Sequence, residues 1–180
     1  MNLPNKKYST IYADPPWPEY GGGKIKRGAD RHYSLMSVKD IIAMPVGNIA
    51  EDNAHLYLWA TNNYLEAAFE VMRAWGFKYK TTITWGKDKI GLGQYFRGQT
   101  EHCLFGVKGN LPYKIEDDKR QQGTTLILAP RREHSQKPDE MRAQIEKVSY
   151  APRIELFARE TFPGWDCWGN EAPERSENDV

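Results

Sequence analysis

Asp14-Pro15-Pro16-Trp17 is the feature of this sequence most able to do chemistry. A carboxylate next to a fixed backbone carbonyl offers two acceptors to one amine. An aromatic amine such as that of adenine is a poor nucleophile, because its lone pair is delocalised into the ring. Accepting its two N–H bonds helps to localise that pair. Asp14 supplies the carboxylate and Pro15 the carbonyl. Consecutive prolines stiffen the turn, so both acceptors are preorganised. Trp17 offers a flat face for an extruded base. Taken alone, the tetrapeptide serves equally well as a strand-ending turn or a polyproline ligand.

Two loops read as candidates for nucleic-acid contact. The first carries Lys24, Lys26, Arg27 and Arg31 after Gly21-Gly22-Gly23. The second, Gly86 to Glu101, carries Lys87, Lys89, Tyr95, Phe96 and Arg97. Basic residues interleaved with aromatics suit phosphate and base contacts. Their proximity to the Asp14 turn favours that reading over a merely solvated loop. Arg131-Arg132 divides evenly between phosphate contact and surface. Gly91-Leu92-Gly93 lacks the context of a dinucleotide fingerprint or a P-loop.

Around these residues, Tyr8–Ala13 reads as a short buried strand that stops at Asp14. Ser37 and Asp40 form a capping pattern that opens a short helix to Ala43. His55–Ala60 reads as a second buried strand. A helix capped by Thr61 or Asn62 follows, with Leu65, Ala68, Phe69, Met72 and Trp75 on one face and Gly76 closing it. Strands are expected over Lys78–Trp85, Cys103–Val107, Thr125–Ala129 and Arg153–Ala158. Lys137–Val148 reads as a helix with Pro138 in its first turn and Met141, Ile145 and Val148 inward. Strands alternating with helices predict an α/β fold with a mainly parallel sheet, and ligands then sit at the strands' carboxyl ends.

The chain has 180 residues, of which 39% are hydrophobic and 27% charged, with a formal net charge of +1. One compact domain fits, and a polybasic protein does not. Any nucleic-acid affinity must come from local patches. Cys103 and Cys167 form no CxxC pair, and the four histidines do not cluster at ligand spacing, so neither a disulfide framework nor a metal site is expected. There is no signal-peptide pattern and no membrane-length apolar run. The expected compartment is the cytoplasm.

Six ordered blocks carry a resemblance: Ala13-Asp14-Pro15-Pro16-Trp17, His32-Tyr33-Ser34-Leu35-Met36, Leu56-Tyr57-Leu58-Trp59-Ala60-Thr61, Glu101-His102-Cys103-Leu104-Phe105-Gly106-Val107-Lys108-Gly109, Ser135-Gln136-Lys137-Pro138-Asp139-Glu140 and Ile154-Glu155-Leu156-Phe157-Ala158-Arg159. From about Lys7 to Glu171, the chain resembles the MT-A70 family of S-adenosylmethionine-dependent N6-adenine methyltransferases. The resemblance implies a single Rossmann-like domain over 1–171, circularly permuted so that the catalytic turn comes first and the cofactor strand near the end. Residues 172–180 form a polar tail. It implies that Asp14 also meets the amino group of S-adenosylmethionine and that Lys137 meets its carboxylate. Phe157, Arg159, Asn170 and Glu171 would hold ribose and adenine, and Tyr33 would wall the target-base pocket beside Trp17.

The chain departs from the family at Glu160-Thr161-Phe162 and at Glu171, where the messenger-RNA enzyme has other polar side chains. The resulting expectation is a monomeric or homodimeric N6-adenine methyltransferase acting on DNA, with no membrane partner. RNA, another planar amine and a catalytically silent nucleic-acid-binding scaffold are the rivals.

Overall fold

A computed structural model describes residues 2–19, 35–133 and 136–169. Its centre is a seven-stranded sheet in the order β7-β3-β4-β2-β1-β8-β9. The strands are β1 (Tyr8–Ala13), β2 (Ala50–Ala60), β3 (Lys78–Gly86), β4 (Thr100–Lys108), β7 (Leu126–Leu128), β8 (Arg153–Leu156) and β9 (Asp166–Trp168). A two-stranded ribbon, β5 (Ile115–Glu116) with β6 (Lys119–Arg120), stands apart from it.

Neighbouring strands of the sheet run parallel except where β4 is inserted antiparallel between β2 and β3. The expected mainly parallel sheet is therefore present. The reversal of β4 has a direct consequence for the site: its first residues, not its last, lie at the edge where the other strands end.

The central strands are apolar on both faces, as strands covered on two sides must be. Side chains alternate along β1 and β2. Ile11, Ala13, Leu56, Leu58 and Ala60 join one buried cluster, with Ile41 of α1 (Val38–Ala43) and Ala68, Val71 and Met72 of α2 (Leu65–Ala74). Tyr12, Tyr57 and Trp59 join the other, with Met141 and Ile145 of α3 (Asp139–Val148). Helices thus cover both faces of the sheet.

Local signals explain the helix ends. The Ser37 hydroxyl accepts from the Asp40 amide at 3.1 Å, as its pattern predicts. Gly76, at φ 91°, closes the end of α2, where an L side chain would be strained. Thr61 does not cap with its side chain; its hydroxyl donates to Glu19 instead, and a short 3₁₀ turn, Asn62–Tyr64, precedes α2. Pro138 is the N-cap of α3, which leaves Lys137 just outside the helix. Cys103 is buried and Cys167 half-buried, in keeping with small core residues.

Candidate active site

The carboxyl edge of the sheet gathers the charged residues. Asp14 leaves the end of β1, Lys87 follows β3, Glu101 stands at the start of β4, and Lys137 precedes α3. The Lys137 ammonium lies 3.1 Å from Asp14 Oδ2 and 3.1 Å from Glu101 Oε1. Lys87 Nζ lies 2.7 Å from Glu101 Oε2. The result is a chain of alternating charge, Asp14–Lys137–Glu101–Lys87, backed by aromatic rings. Lys137 Nζ stands 5.6 Å from the centre of the Trp59 ring and Lys87 Nζ 4.8 Å from that of Trp85.

The two carboxyls of this chain are pushed in opposite directions. Removal from water raises the Asp14 pKa, and the nearby Glu101 adds to the rise, while Lys137 and Arg159 pull it back. Burial would raise Glu101 too, but Lys137 and Lys87 together hold it below its ordinary value. Burial alone would lower Lys137; Asp14 and Glu101 outweigh it and keep the amine firmly protonated. The Cys103 thiol is driven well above its normal range by burial, so it is inert as a nucleophile.

The turn itself is held by its neighbours. The Trp17 amide donates to the Pro15 carbonyl at 2.9 Å, and the Met36 amide donates to the Pro16 carbonyl at 3.0 Å. A carbonyl has two lone pairs, so that of Pro15 keeps capacity for a second donor. The Trp17 indole N–H donates to the Trp59 carbonyl at 3.0 Å, and its ring stacks on Tyr64 with centroids 5.5 Å apart. Trp17 is 6% exposed, so its first role is to anchor the turn to β2 and one of its faces is taken by Tyr64.

Beside Asp14 opens a cleft lined by Lys137, Phe157, Arg159, Glu160, Gln136 and Glu155, among others. Phe157 has φ 61°, a left-handed conformation that costs a bulky residue energy and that persists only where surrounding structure enforces it. Its ring meets Trp168 edge-on at 5.6 Å. A Cβ on Gly169 would lie 2.6 Å from the Ala158 carbonyl oxygen, so only glycine lets the backbone after β9 come this close to the end of β8.

Arg142 also lines the cleft. Its guanidinium pairs with Glu155 and lies 3.5 Å from the Phe162 ring centre and 4.7 Å from that of Trp165.

The structure therefore brings together Asp14, Pro15, Pro16, Trp17, Lys137, Phe157 and Arg159. It places Lys87 in the same ion-pair chain, while Lys89 and Arg97 lie outward on the β3–β4 loop, where the Arg97 Nε–H donates to the Gly91 carbonyl. Tyr33, Lys24, Lys26, Arg27, Arg31, Asn170 and Glu171 lie outside the described residues. Glu101 was not singled out by sequence reasoning, nor were Arg142 and Glu155. A carboxylate at a strand end reads as a solvated one, and Glu101 meets Lys137 across 36 positions of chain.

The family model described as MT-A70 matches residues 8–171. The chain belongs to the MT-A70 family. Among its relatives, the Type II methyltransferase M.MunI of a Mycoplasma species is 35% identical and covers 96% of this chain and 81% of that protein. The human N(6)-adenosine-methyltransferase catalytic subunit METTL3 is 29% identical over 92% of this chain. A putative N(6)-adenosine-methyltransferase MT-A70-like protein of Medicago truncatula is 31% identical over 92%. This MT-A70 chain spans 28% of the human protein and 26% of the plant one. Among the described residues no helix is long and apolar enough to cross a membrane, and no group of His, Cys, Asp and Glu could hold a metal ion.

Proposed function

We propose that this chain transfers a methyl group from S-adenosylmethionine to the 6-amino nitrogen of adenine in nucleic acid, with DNA as the favoured substrate. One observation carries the reading: a rigid Asp-Pro-Pro turn at the carboxyl edge of the sheet presents a carboxylate paired to Lys137 beside an open cleft. Membership of the MT-A70 family supports the reaction. The extent of the match to a Type II methyltransferase, 81% of that protein, supports DNA. The N(6)-adenosine-methyltransferase relatives make RNA the runner-up.

The chemistry of the cleft's lining supports S-adenosylmethionine as its ligand. It offers a carboxylate and an ammonium, with Phe157, in an enforced backbone conformation, leaving the neighbouring strand end, and Arg159 and Glu160 in the same lining. Asp14, Lys137, Phe157 and Arg159 would hold the cofactor, with Asn170 and Glu171 completing its nucleoside site. When bound, it supplies an electrophilic methyl group on a sulfonium.

The chain's own residues do the rest. Asp14 Oδ and the Pro15 carbonyl accept the two N–H bonds of the target amine and direct its lone pair outward. Positive charge builds on that nitrogen as it is alkylated, so the carboxylate helps most in the transition state. Lys137 and Glu101 fix the orientation of Asp14. The proton released from the amine passes to Asp14 or to water. Tyr33 would border the base. The basic residues Lys24, Lys26, Arg27, Arg31, Lys89 and Arg97 would meet phosphates.

A circularly permuted order also belongs to this proposal. It is supported by β1, which carries the reactive turn and comes first in the chain, pairing directly with β8, the strand that ends at Phe157.

One experiment tests the reading. The protein is incubated with labelled S-adenosylmethionine and a mixture of DNA and RNA, and the modified nucleoside is identified by mass spectrometry. N6-methyladenine in the DNA fraction is expected. Label confined to RNA would replace the substrate, and no label would leave a scaffold.

A further inference from the structure

Among the described residues, eight large hydrophobics are exposed, and four of them fall between positions 90 and 96: Ile90, Leu92, Tyr95 and Phe96. Tyr95 is 94% exposed and its neighbour Phe96 89%. Adjacent bare aromatics are costly in water and mark a surface that a partner covers.

The loop that carries them is built, not slack. At its base the Lys87 amide donates to the Gln99 carbonyl, and the Gln99 side-chain amide donates to the Lys87 carbonyl, both at 2.9 Å. Higher up, the Gly91 amide donates to the Gly98 carbonyl at 2.6 Å and the Gly98 amide to the Leu92 carbonyl at 2.9 Å. A Cβ on Gly93 would lie 1.8 Å from the Phe96 carbonyl oxygen, so the reversal over 93–96 is open to glycine alone. The hydrogen bonds and the glycine hold a narrow finger whose tip is two aromatic rings.

Charge and position indicate what covers the tip. Residues 87–99 contain the exposed Lys89 and Arg97, beside Lys87, whose ammonium is paired with Glu101, against a single acid, Asp88. That acid is occupied: its carboxylate accepts from the Arg131 amide at 2.7 Å, which ties the Arg131-Arg132 segment to the finger. The finger grows from the strand ends that carry Lys87 and Glu101, and those residues lead through Lys137 to Asp14. An apolar, aromatic tip on cationic flanks beside a base-modifying site suits stacked bases between phosphates.

We propose that Tyr95 and Phe96 form a wedge that enters duplex DNA at the target adenine, stacks on the bases next to it and fills the gap left when the adenine swings out toward Asp14. This rests on the nucleic-acid methyltransferase reading. A base inside a duplex cannot reach a recessed carboxylate, and its extrusion costs stacking and pairing that the wedge replaces. A single strand has no such gap.

The test compares the rate of methyl incorporation into native and heat-denatured DNA for the wild-type chain and for a Tyr95→Ala/Phe96→Ala variant. The variant should lose roughly ten- to a hundredfold on duplex DNA, the scale of one or two lost stacking contacts. Its rate on single strands should fall far less, and a Tyr95→Trp/Phe96→Trp variant should recover the duplex rate. Cofactor affinity and melting temperature confirm that the Ala variant is folded. An equal fall on both substrates, no fall, or a wild-type chain active only on single strands overturns the wedge. So does a change of sedimentation from multimer to monomer in the variant, which would make the finger a protein contact. A wild-type chain that labels no nucleic acid overturns the methyltransferase reading itself and the wedge with it.

Discussion

Asp14 and Lys137, 123 positions apart in the sequence, are brought to a separation of 3.1 Å, the first following β1 and the second preceding α3. The pair makes Asp14 a carboxylate of fixed direction in a place where burial would otherwise favour its protonation. The most direct consequence concerns its charge. Asp14→Asn keeps size and shape but loses the charge, and it can present a donor where the amine needs an acceptor. Loss of one preorganised group of this kind commonly costs about a hundredfold to a thousandfold in turnover. We expect that fall in kcat, with the melting temperature nearly unchanged. An Asn variant at wild-type rate would remove Asp14 from the chemistry.

The pH profile offers a test with a sign. Burial and Glu101 raise the Asp14 pKa, and the acceptor role needs the ionised form. Activity should therefore be lost as pH falls through a value above the ordinary aspartate one of ~3.9. Glu101→Gln removes a like charge and leaves Lys137 to Asp14, so the acidic limb should move to lower pH. Lys137→Met removes the main counterweight, so the limb should move to higher pH. Profiles of kcat at saturating cofactor measure both shifts, and parallel shifts in one direction would contradict the ion-pair chain.

What the sequence reveals about this site follows its physics. The Asp14 turn is local: a strand pattern, a carboxylate and two prolines in one stretch. Gly76 and Ser37 are legible for the same reason, because caps are satisfied by near neighbours. Lys137 is legible as a charged residue at a helix start, but its partners are not, since Glu101 and Asp14 reach it only through tertiary folding. The antiparallel direction of β4, which carries Glu101 to the site, leaves no trace in an apolar run. Phe157 reads as the interior of a strand extending to Ala158; its positive φ ends the strand at Leu156. Strand β9 is too short, at three residues, to show a period.

Stability should carry a separate pH signature. His55 is buried, with Nδ1 2.7 Å from the Ser149 hydroxyl and Nε2 2.8 Å from the Leu111 carbonyl. Burial lowers its pKa, so the folded state resists protonation that the unfolded chain accepts. The stability this represents is complete above the unfolded value of ~6.5 and declines as pH drops below it toward the lowered folded value. His102, lowered by the same cause, adds in the same direction. Melting temperature should fall as pH drops below about 6.5, and His55→Gln should flatten that fall. An unchanged slope in the variant would assign the acid sensitivity to other groups.

Trp17 separates an anchor from a stacking surface. Its indole N–H holds the Trp59 carbonyl at 3.0 Å, and its ring lies nearly parallel to that of Tyr64, at 13°. Trp17→Phe keeps a ring against Tyr64 and removes the donor. A net hydrogen bond is worth about 0.5–1.5 kcal/mol, and a buried carbonyl left without its partner adds to that. The variant should therefore melt several degrees lower, as expected for about 1 kcal/mol in a chain of this length. The turn would also lose its tether to β2, so the Pro15 carbonyl would be less firmly aimed and kcat should fall more than KM rises. If Trp17 acted only as a face for the extruded base, phenylalanine would leave the melting temperature unchanged and the loss would appear in KM for DNA. Measuring the two quantities on one variant decides between these roles, and the buried, hydrogen-bonded indole favours the anchor.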